Sequence, residues 1–280
     1  MTSGKVATTI GYERRNNPAL RFDDRDAFIR FMTSDQAVRP ANMANIVAIN
    51  QGRAPLTMEA PTAPALEAVT VAGLVQAGHL VLDTRSSAAF GAAQVPGALH
   101  VHLSSPEFEQ RVGWVAPPGA RFVLVLEDAG TLAPALAALA FVGLDARVAG
   151  HLRDGMPGWQ RAGYPTAAVP QMSVQDVHAR LVRGELSVLD VRERAEWIRG
   201  HIEGARHSSY KQLTARLPEL RLAPDAPLAV ICHGGARSST AASLLARQGF
   251  RALVNVTGGM VAWEEAGLPV ETGVGCVDHP

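Results

Sequence analysis

Short apolar runs alternate with segments of helical periodicity along the chain. Val174, Val177 and Leu181 recur at helical spacing, and Ser239–Gln248 predicts a second helix. Three runs in the same half are typical of buried strands: Ser187–Val191, Pro227–Ile231 and Ala252–Val256. Buried strands that alternate with helices indicate a parallel sheet with helices on both faces. The pattern therefore predicts the α/β class.

The same series of motifs occurs twice, about a hundred residues apart. Asp83-Thr-Arg85 follows an apolar run and recurs as Asp190-Val-Arg192, 107 residues later. Near the end of each copy, a glycine-containing turn leads to Trp159 and, 104 residues later, to Trp263. We expect both tryptophans to be packing anchors. A unit of this length is a domain rather than a short solenoid repeat, so the sequence predicts two tandem domains.

The repeat sets the predicted domain boundaries. Residues 66–166 form the first predicted domain, and residues 167–273 form the second. Residues 1–57 precede the repeat and predict a short helical N-terminal segment, because apolar residues recur on one side of two candidate helices. Prolines indicate a linker over residues 58–65, and residues 274–280 are expected to be a tail.

The composition narrows the classes of partner. The 280 residues include 26 basic and 26 acidic side chains, which gives a formal net charge of zero. This balance predicts no nucleic-acid partner and no anionic membrane surface. The first residues carry no apolar leader, and no stretch reaches the ~20 apolar residues of a membrane span. We therefore expect a cytoplasmic protein whose two cysteines, Cys232 and Cys276, remain thiols.

The segment after the second apolar run carries the candidate chemistry. The strand ends at Cys232, two glycines follow, and Arg237 stands where a helix begins. Such a turn can direct backbone N–H groups and the helix dipole at the sulfur, which favours an anionic nucleophile, and Arg237 would add positive charge. The candidate catalytic residue is Cys232, and the candidate substrate-binding residues are His233, Gly234, Gly235, Ala236, Arg237 and Ser238.

Other polar residues are expected to have supporting or structural roles. Asp190 and Arg192 follow a predicted strand and are expected to support the active loop through a polar network. His233 is expected to shape the mouth of the pocket rather than act as a base. Cys276 falls in the predicted tail and is expected to be incidental to the chemistry.

Several of these motifs together resemble the rhodanese family. The segment Cys232–Arg237 resembles the six-residue active loop of rhodaneses, and Asp190–Arg192, Gly200–Ala205 and Gly258–Trp263 resemble three further signatures in the expected order. Over residues 65–272 the two copies look like a tandem rhodanese. The resemblance implies a sulfurtransferase without a cofactor or metal. Its cysteine would take a sulfane sulfur from a donor such as thiosulfate or a small persulfide, and pass it to a thiol or cyanide.

The first copy departs from this pattern at the position of the cysteine. Leu126 stands where the second copy has Cys232, and Glu127 and Asp128 follow it. The loop therefore has no thiol, and its two carboxylates would repel an anionic donor. We expect the first copy to be a structural or docking domain.

The N-terminal segment carries a second resemblance. Thr8–Leu20 is similar to the C-terminal end of the metallo-β-lactamase-like domain in persulfide dioxygenases fused to rhodaneses, a likeness that extends over about residues 1–57. The HxHxDH metal-binding pattern of that domain is absent, because Leu103 follows His100-Val-His102. The resemblance therefore implies no iron here, and it makes a persulfide dioxygenase domain a candidate partner.

Two alternatives remain open from the sequence. A loop with cysteine and arginine is also typical of phosphatases and arsenate reductases. Their Cys-x5-Arg spacing would require arginine at position 238, where this chain has Ser238, and Ile231 stands where those phosphatases usually have histidine. The other alternative is a non-enzymatic scaffold or docking module for a persulfide dioxygenase.

Overall fold

The computed structural model describes residues 7–34, 39–55 and 57–273. Cys276 and the predicted tail therefore lie outside the described residues. The chain divides into two compact units, Met1–Arg39 and Pro40–Pro280. The predicted domain boundaries, including the one at residue 57, stay predictions.

The N-terminal unit is helical, as its apolar periodicity predicts. Helix α1 (Ile10–Asn16) begins after Thr9, whose hydroxyl accepts a hydrogen bond from the Tyr12 N–H. A 3₁₀ turn at Pro18–Arg21 leads to α2 (Arg25–Ser34), which confirms one of the two helices expected within residues 1–57. The rings of Phe22 and Phe31 lie 4.8 Å apart.

The second unit contains two five-stranded parallel sheets with the same strand order. The first sheet has the order β1-β5-β4-β2-β3 and consists of β1 (Ala65–Leu66), β2 (Leu80–Asp83), β3 (Leu99–His100), β4 (Phe122–Val125) and β5 (Val148–Leu152). The second sheet has the order β6-β10-β9-β7-β8 and consists of β6 (Gln171–Met172), β7 (Ser187–Asp190), β8 (Arg206–His207), β9 (Leu228–Ile231) and β10 (Leu253–Val256). The α/β class is thus confirmed.

Helices connect the parallel strands in both sheets. One helix precedes the first sheet, and the others follow in chain order: α3 (Met43–Asn50), α4 (Ala68–Gln76), α5 (Ser87–Ala92), α6 (Phe108–Val115), α7 (Leu132–Phe141), α8 (Gly155–Arg161), α9 (Val174–Val182), α10 (Arg194–Arg199), α11 (Leu213–Arg216), α12 (Ala236–Arg247) and α13 (Gly259–Glu265). Short 3₁₀ turns occupy Ala129–Thr131 and Asp145–Arg147. The strands are buried on both faces, since alternate residues of β2 join different apolar cores.

The second unit has two halves: the first contains β1–β5, and the second contains β6–β10. The repeated motifs make the same contacts in both halves. Arg85 binds the Asp83 carboxylate and the Ala93 carbonyl, while Arg192 binds the Asp190 carboxylate and the Gly200 carbonyl. Each Asp-x-Arg motif therefore ties the end of its strand to the end of the next helix.

The two tryptophans of the repeat also have matching environments. Trp159 donates to the Pro165 carbonyl and Trp263 to the Pro269 carbonyl, both at 2.9 Å. Both side chains are buried, which confirms their role as packing anchors.

Helix α12 packs against both halves of this unit. Its residues from Ser238 to Leu245 are all buried, and the helix contacts β9 and β10 of its own sheet as well as β3 and α5 of the other. The backbone N–H of His100 donates to the Ser243 hydroxyl at 3.0 Å. At the far end, Arg247 donates to the Gly97 carbonyl at 2.6 Å. Small side chains on both faces of α12 therefore allow two sheets to approach one helix.

His100 joins the two halves in its neutral form. Its Nε2 lies 2.8 Å from the Arg85 carbonyl, which can only accept, so Nε2 carries the proton. Nδ1 then accepts from the Ser239 hydroxyl at 2.9 Å. Burial of the ring lowers the pKa of His100 to about 3.

This depressed pKa predicts acid sensitivity of the fold. The unfolded chain takes up a proton on His100 near pH 6.5, whereas the folded chain does not until about pH 3. Its contribution to the free energy of unfolding is therefore complete above pH 6.5 and is lost on the order of 1 kcal/mol per pH unit below that value. Urea unfolding between pH 7 and 4 should show a shallower loss in His100→Asn than in the parent or in His79→Asn. Equal slopes in all three proteins would contradict this assignment.

Candidate active site

The candidate nucleophile lies at the carboxyl end of the central strand of the second sheet. Cys232 follows β9 and is only 1% exposed. Its Sγ accepts hydrogen bonds from the Gly235 N–H at 3.1 Å and from the Ser238 hydroxyl at 3.3 Å. Both donors stabilise negative charge on sulfur. The loop therefore brings together three residues that the sequence analysis predicted for the site.

Two glycines allow the loop to take this conformation. Gly235 has φ +96° at the start of α12, where only glycine is unstrained, and this geometry directs its N–H at the sulfur. Gly259 has φ +58° and lies directly behind the loop, so that a Cβ there would overlap the Cys232 and His233 carbonyls. The Met260 N–H donates to the Cys232 carbonyl at 2.8 Å. The start of α13 therefore fixes the position of the loop.

Substitution of Gly259 should disturb the loop more than an equivalent change elsewhere. Gly155 is its counterpart in the first half, with φ +54°, but its nearest neighbour to an added Cβ is 3.7 Å away. Gly155→Ala adds only backbone strain, about 1 kcal/mol, whereas Gly259→Ala adds overlap with backbone and should cost roughly 3 kcal/mol in unfolding free energy. Urea unfolding measures both losses. The same loss in both variants would show that the space behind the loop is irrelevant.

Arg237 is joined to a carboxylate. Its Nη1 and Nη2 donate to both oxygens of Glu196 at 2.6 and 2.7 Å, and the two side chains are largely buried. Burial raises the pKa of Glu196, but the hydrogen bonds and charge of Arg237 outweigh it and lower that pKa to about 2. Burial likewise disfavours the charged form of Arg237, but Glu196 outweighs it and raises the pKa of Arg237. The positive charge expected beside the sulfur is therefore balanced by Glu196.

Asp190 and Arg192 reach the active loop through a helix. Arg192 binds the carbonyl of Gly200 directly after α10, and α10 carries Glu196, the partner of Arg237. The N-terminus of α10 is held by a capping box between Glu193 and Glu196. The contacts of the Arg192 guanidinium with Asp190 and Gly200 thus place this pair one helix away from the cysteine loop.

A cavity of about 310 Å³ opens in front of the cysteine. Five residues of its lining were predicted from the sequence: Cys232, His233, Gly234, Ala236 and Arg237. Six others were missed: Pro106, Glu107 and Arg111 from the first half, and Glu193, Tyr210 and Lys211 from the second. None of the six belongs to a motif that the sequence analysis used. For Glu193, Tyr210 and Lys211 the signal is topological, because they follow β7 and β8 of the sheet that carries the cysteine.

The second-half wall of the cavity is held by aromatic and ionic contacts. The Nζ of Lys211 lies 3.1 Å from the Glu193 carboxylate and 3.9 Å from the centre of the Trp114 ring. Tyr210 meets Trp114 edge to face at 6.4 Å. Burial raises the pKa of Tyr210, so its hydroxyl stays protonated. Lys211 therefore lines the cavity with its positive charge balanced by Glu193.

The first half lacks this chemistry at the corresponding place. Leu126 follows β4 and packs into the apolar core. Glu127 accepts a hydrogen bond from the Ser86 N–H, and Asp128 caps the 3₁₀ turn by accepting from the Gly130 N–H. A cavity of about 490 Å³ lies here, but no thiol lines it. The two carboxylates of this loop therefore stabilise its backbone.

The described residues offer neither a metal centre nor a membrane-spanning helix. Among residues 7–34, 39–55 and 57–273, no group of three or more His, Cys, Asp or Glu side chains is placed to hold a metal ion. Within the same ranges, no helix has the length and apolar character needed to cross a bilayer.

Comparison with known proteins identifies the family. The model of the rhodanese-like domain matches residues 173–266. The thiosulfate sulfurtransferase GlpE of Pseudomonas putida (strain GB-1) is 36% identical over 91 residues, which are 32% of this chain and 80% of GlpE. GlpE of Ectopseudomonas mendocina (strain ymp) is 39% identical over 88 residues, which are 31% of this chain and 78% of that protein.

A third relative is matched over a smaller share of its length. YrkF of Bacillus subtilis (strain 168) is 32% identical over 107 residues, which are 38% of this chain and 57% of YrkF. The fold and the cysteine loop define an α/β protein with a candidate thiol site. The chain belongs to the rhodanese family.

Proposed function

We propose that the chain is a sulfurtransferase that carries a sulfane sulfur as a persulfide on Cys232. The donor is thiosulfate or a small persulfide, and the acceptor is a thiol or cyanide. The single observation that carries the proposal is the sulfur of Cys232, which accepts hydrogen bonds from Gly235 and Ser238 and lines the 310 Å³ cavity. The names of the GlpE relatives support the same reaction class.

In the first step, the Cys232 thiolate attacks the outer sulfur of thiosulfate. A sulfur–sulfur bond forms to Cys232, and the electron pair of the donor's own sulfur–sulfur bond leaves with sulfite. The terminal sulfur of the resulting persulfide carries the negative charge. The loop donors that stabilise the anionic cysteine remain beside the persulfide.

In the second step, an acceptor thiolate or cyanide attacks the terminal sulfur of the persulfide. The bond to Cys232 breaks, its electron pair returns to the cysteine, and the thiolate is restored. Two half-reactions that share one covalent intermediate predict ping-pong kinetics. The balanced pair of Arg237 and Glu196 keeps the cavity wall from adding a net charge that would trap the anionic product.

Substitution of Arg237 should lower kcat/KM more for thiosulfate than for a donor without an oxyanion. Arg237→Ala leaves the Glu196 carboxylate unpaired beside the site, where it repels sulfonate oxygens. We expect at least a tenfold loss of kcat/KM for thiosulfate and a smaller loss for 2-hydroxyethyl persulfide, measured with cyanide as acceptor. Adding Glu196→Gln should recover part of the loss. Equal losses for both donors, without recovery, would show that Arg237 only organises the loop.

The proposal is tested by the mass of the intact protein. Incubation with thiosulfate followed by removal of small molecules should leave the chain heavier by one sulfur atom, and cyanide should remove that mass. A protein that acts only as a scaffold would gain none, and a phosphatase or arsenate reductase would turn over its own substrate without a persulfide. No gain of mass with either donor class would therefore overturn the proposal.

The first half is proposed to be a rhodanese-like domain without catalytic activity. Its support is the shared strand order of the two sheets and the matching contacts of the two Asp-x-Arg motifs. A cytoplasmic location and a persulfide dioxygenase domain as partner also belong to the proposal. The choice of partner rests on the N-terminal resemblance.

A further inference from the structure

Arg111 is a buried cation of the cavity with unused hydrogen-bond donors. It lies on α6 in the first half and lines the same cavity as Cys232. The residue is 9% exposed, and its Nε and Nη1 have no hydrogen-bond partner among the described residues. A buried guanidinium whose donors meet no protein acceptor is costly, so an anion that supplies acceptors would be stabilised there.

The other cations of the cavity are already paired. Lys211 binds Glu193, and Arg237 binds both oxygens of Glu196. For Arg111, no ion pair occurs within residues 7–34, 39–55 and 57–273. Among the described arginine and lysine side chains that line this cavity, Arg111 is therefore the one that no carboxylate holds.

The backbone around Arg111 is held firmly in place. Gly113, two residues further along α6, lies so close to Pro40 and Asn42 that an added Cβ would overlap the Asn42 amide oxygen. The Ala41 N–H donates to the Gly113 carbonyl at 3.0 Å. Helix α6 therefore presents Arg111 from a fixed position, which lowers the entropy cost of binding an anion.

We propose that Arg111 binds the oxyanion group of the sulfur donor and sets donor specificity from the half that lacks the cysteine. The inference rests on the proposed sulfurtransferase function. A planar guanidinium suits sulfonate or carboxylate oxygens, because Nη2 together with either Nε or Nη1 can donate two parallel hydrogen bonds to them. With thiosulfate, the outer sulfur would face Cys232 while the sulfonate oxygens bind Arg111, and sulfite would leave from this position.

Two donor classes share this chemistry, and kinetics distinguishes them. Thiosulfate presents sulfonate oxygens, glutathione persulfide presents carboxylates, and 2-hydroxyethyl persulfide presents no oxyanion. Arg111→Met keeps the apolar length of the side chain and removes the charge. Arg161→Met, an exposed arginine of the same half, is the matched control.

We expect Arg111→Met to raise KM at least tenfold for thiosulfate, for glutathione persulfide, or for both. Its kcat/KM for 2-hydroxyethyl persulfide should stay within about twofold of the parent value. In Arg161→Met, kcat/KM for each of the three donors should stay within the same range. A loss confined to thiosulfate assigns sulfonate as the ligand, and a loss confined to glutathione persulfide assigns carboxylate. Equal losses for all three donors, or no loss for any, would overturn the proposal.

Binding without turnover separates this inference from the proposed function. Sulfite binding to the Cys232→Ser protein, measured by calorimetry, should weaken at least tenfold when Arg111→Met is added. This result does not depend on persulfide formation, so it can hold even if no sulfur is transferred. Arg111→Lys should bind sulfite with intermediate affinity.

A stability measurement excludes a purely structural role. The charge of Arg111 has no protein partner to stabilise, so without added donor Arg111→Met should unfold at the same urea concentration as the parent or at a higher one. Lower stability together with unchanged sulfite affinity would show that Arg111 supports the fold and does not bind the donor.

Discussion

Cys232→Ser should abolish sulfur transfer. A serine hydroxyl keeps the size of the side chain, but it neither ionises at neutral pH nor forms a bond to sulfur that an acceptor can reverse. Gly235 and Ser238 would still donate to the oxygen, so the loop should remain folded. We expect turnover of thiosulfate with cyanide to fall at least a thousandfold, and the mass gain after incubation to disappear.

The other cysteine provides the control for this experiment. Cys276→Ser should keep turnover within about twofold of the parent, because the chemistry requires only the thiol of the active loop. Urea unfolding of both variants shows whether any loss is due to folding. Substantial turnover by the Cys232→Ser protein, or loss of turnover in Cys276→Ser, would refute the assignment of Cys232.

The active loop could be predicted from the sequence because its geometry is local. A strand that ends in Cys232, followed by two glycines and a helix, leaves few conformations, and Gly235 at positive φ directs its N–H as the turn requires. The repeat could be found for a similar reason. Each Asp-x-Arg motif makes its contacts within about ten residues along the chain, so the repeated motif forms the same local structure twice.

The charge state of the site depends on tertiary contacts and could not be predicted. Glu196 lies 41 residues before Arg237 in the chain, and only the packing of α10 against the loop brings them together. Arg111 comes from another half of the unit, on a helix that carries no motif. The sequence does not show which of its many carboxylates pairs with Arg237, or which of its arginines lines the cavity, because only the folded chain brings these residues together.

A weaker signal in the sequence points to the contact between the two halves. The residues Ser238–Ser243 of α12 are serine, threonine and alanine, which give no apolar stripe of the kind that covers one sheet. All are buried, since the helix is enclosed by its own sheet on one side and by β3 and α5 on the other. When a helix that follows an active loop has small residues over two turns, this pattern can therefore indicate that other elements pack closely against two sides of the helix.

Removal of the first half should strongly destabilise the half that contains Cys232. A chain that begins at residue 167 loses the partners of Ser239, Ser243 and Arg247, and it exposes Leu244, which is buried in the core of the first half. Exposure of a buried leucine and loss of three hydrogen bonds cost on the order of 5 kcal/mol together, which is comparable with the whole stability of a small domain. The truncated chain should be largely unfolded or aggregated at 37 °C, with binding of a hydrophobic dye and loss of near-UV circular dichroism.

Addition of the missing half provides the decisive control, because the contacts that we hold responsible lie between the halves. Residues 40–166, co-expressed with residues 167–280, should form a complex in which α12 is again covered on both sides, and the near-UV signal should return. Ser243→Leu in the full chain tests the same contact without truncation, since a larger side chain opposite the His100 N–H would overpack the interface and cost roughly 3 kcal/mol. If the truncated chain unfolds at the same urea concentration as the full chain, the first half contributes nothing to the stability of the second, and the enclosure of α12 has no energetic role.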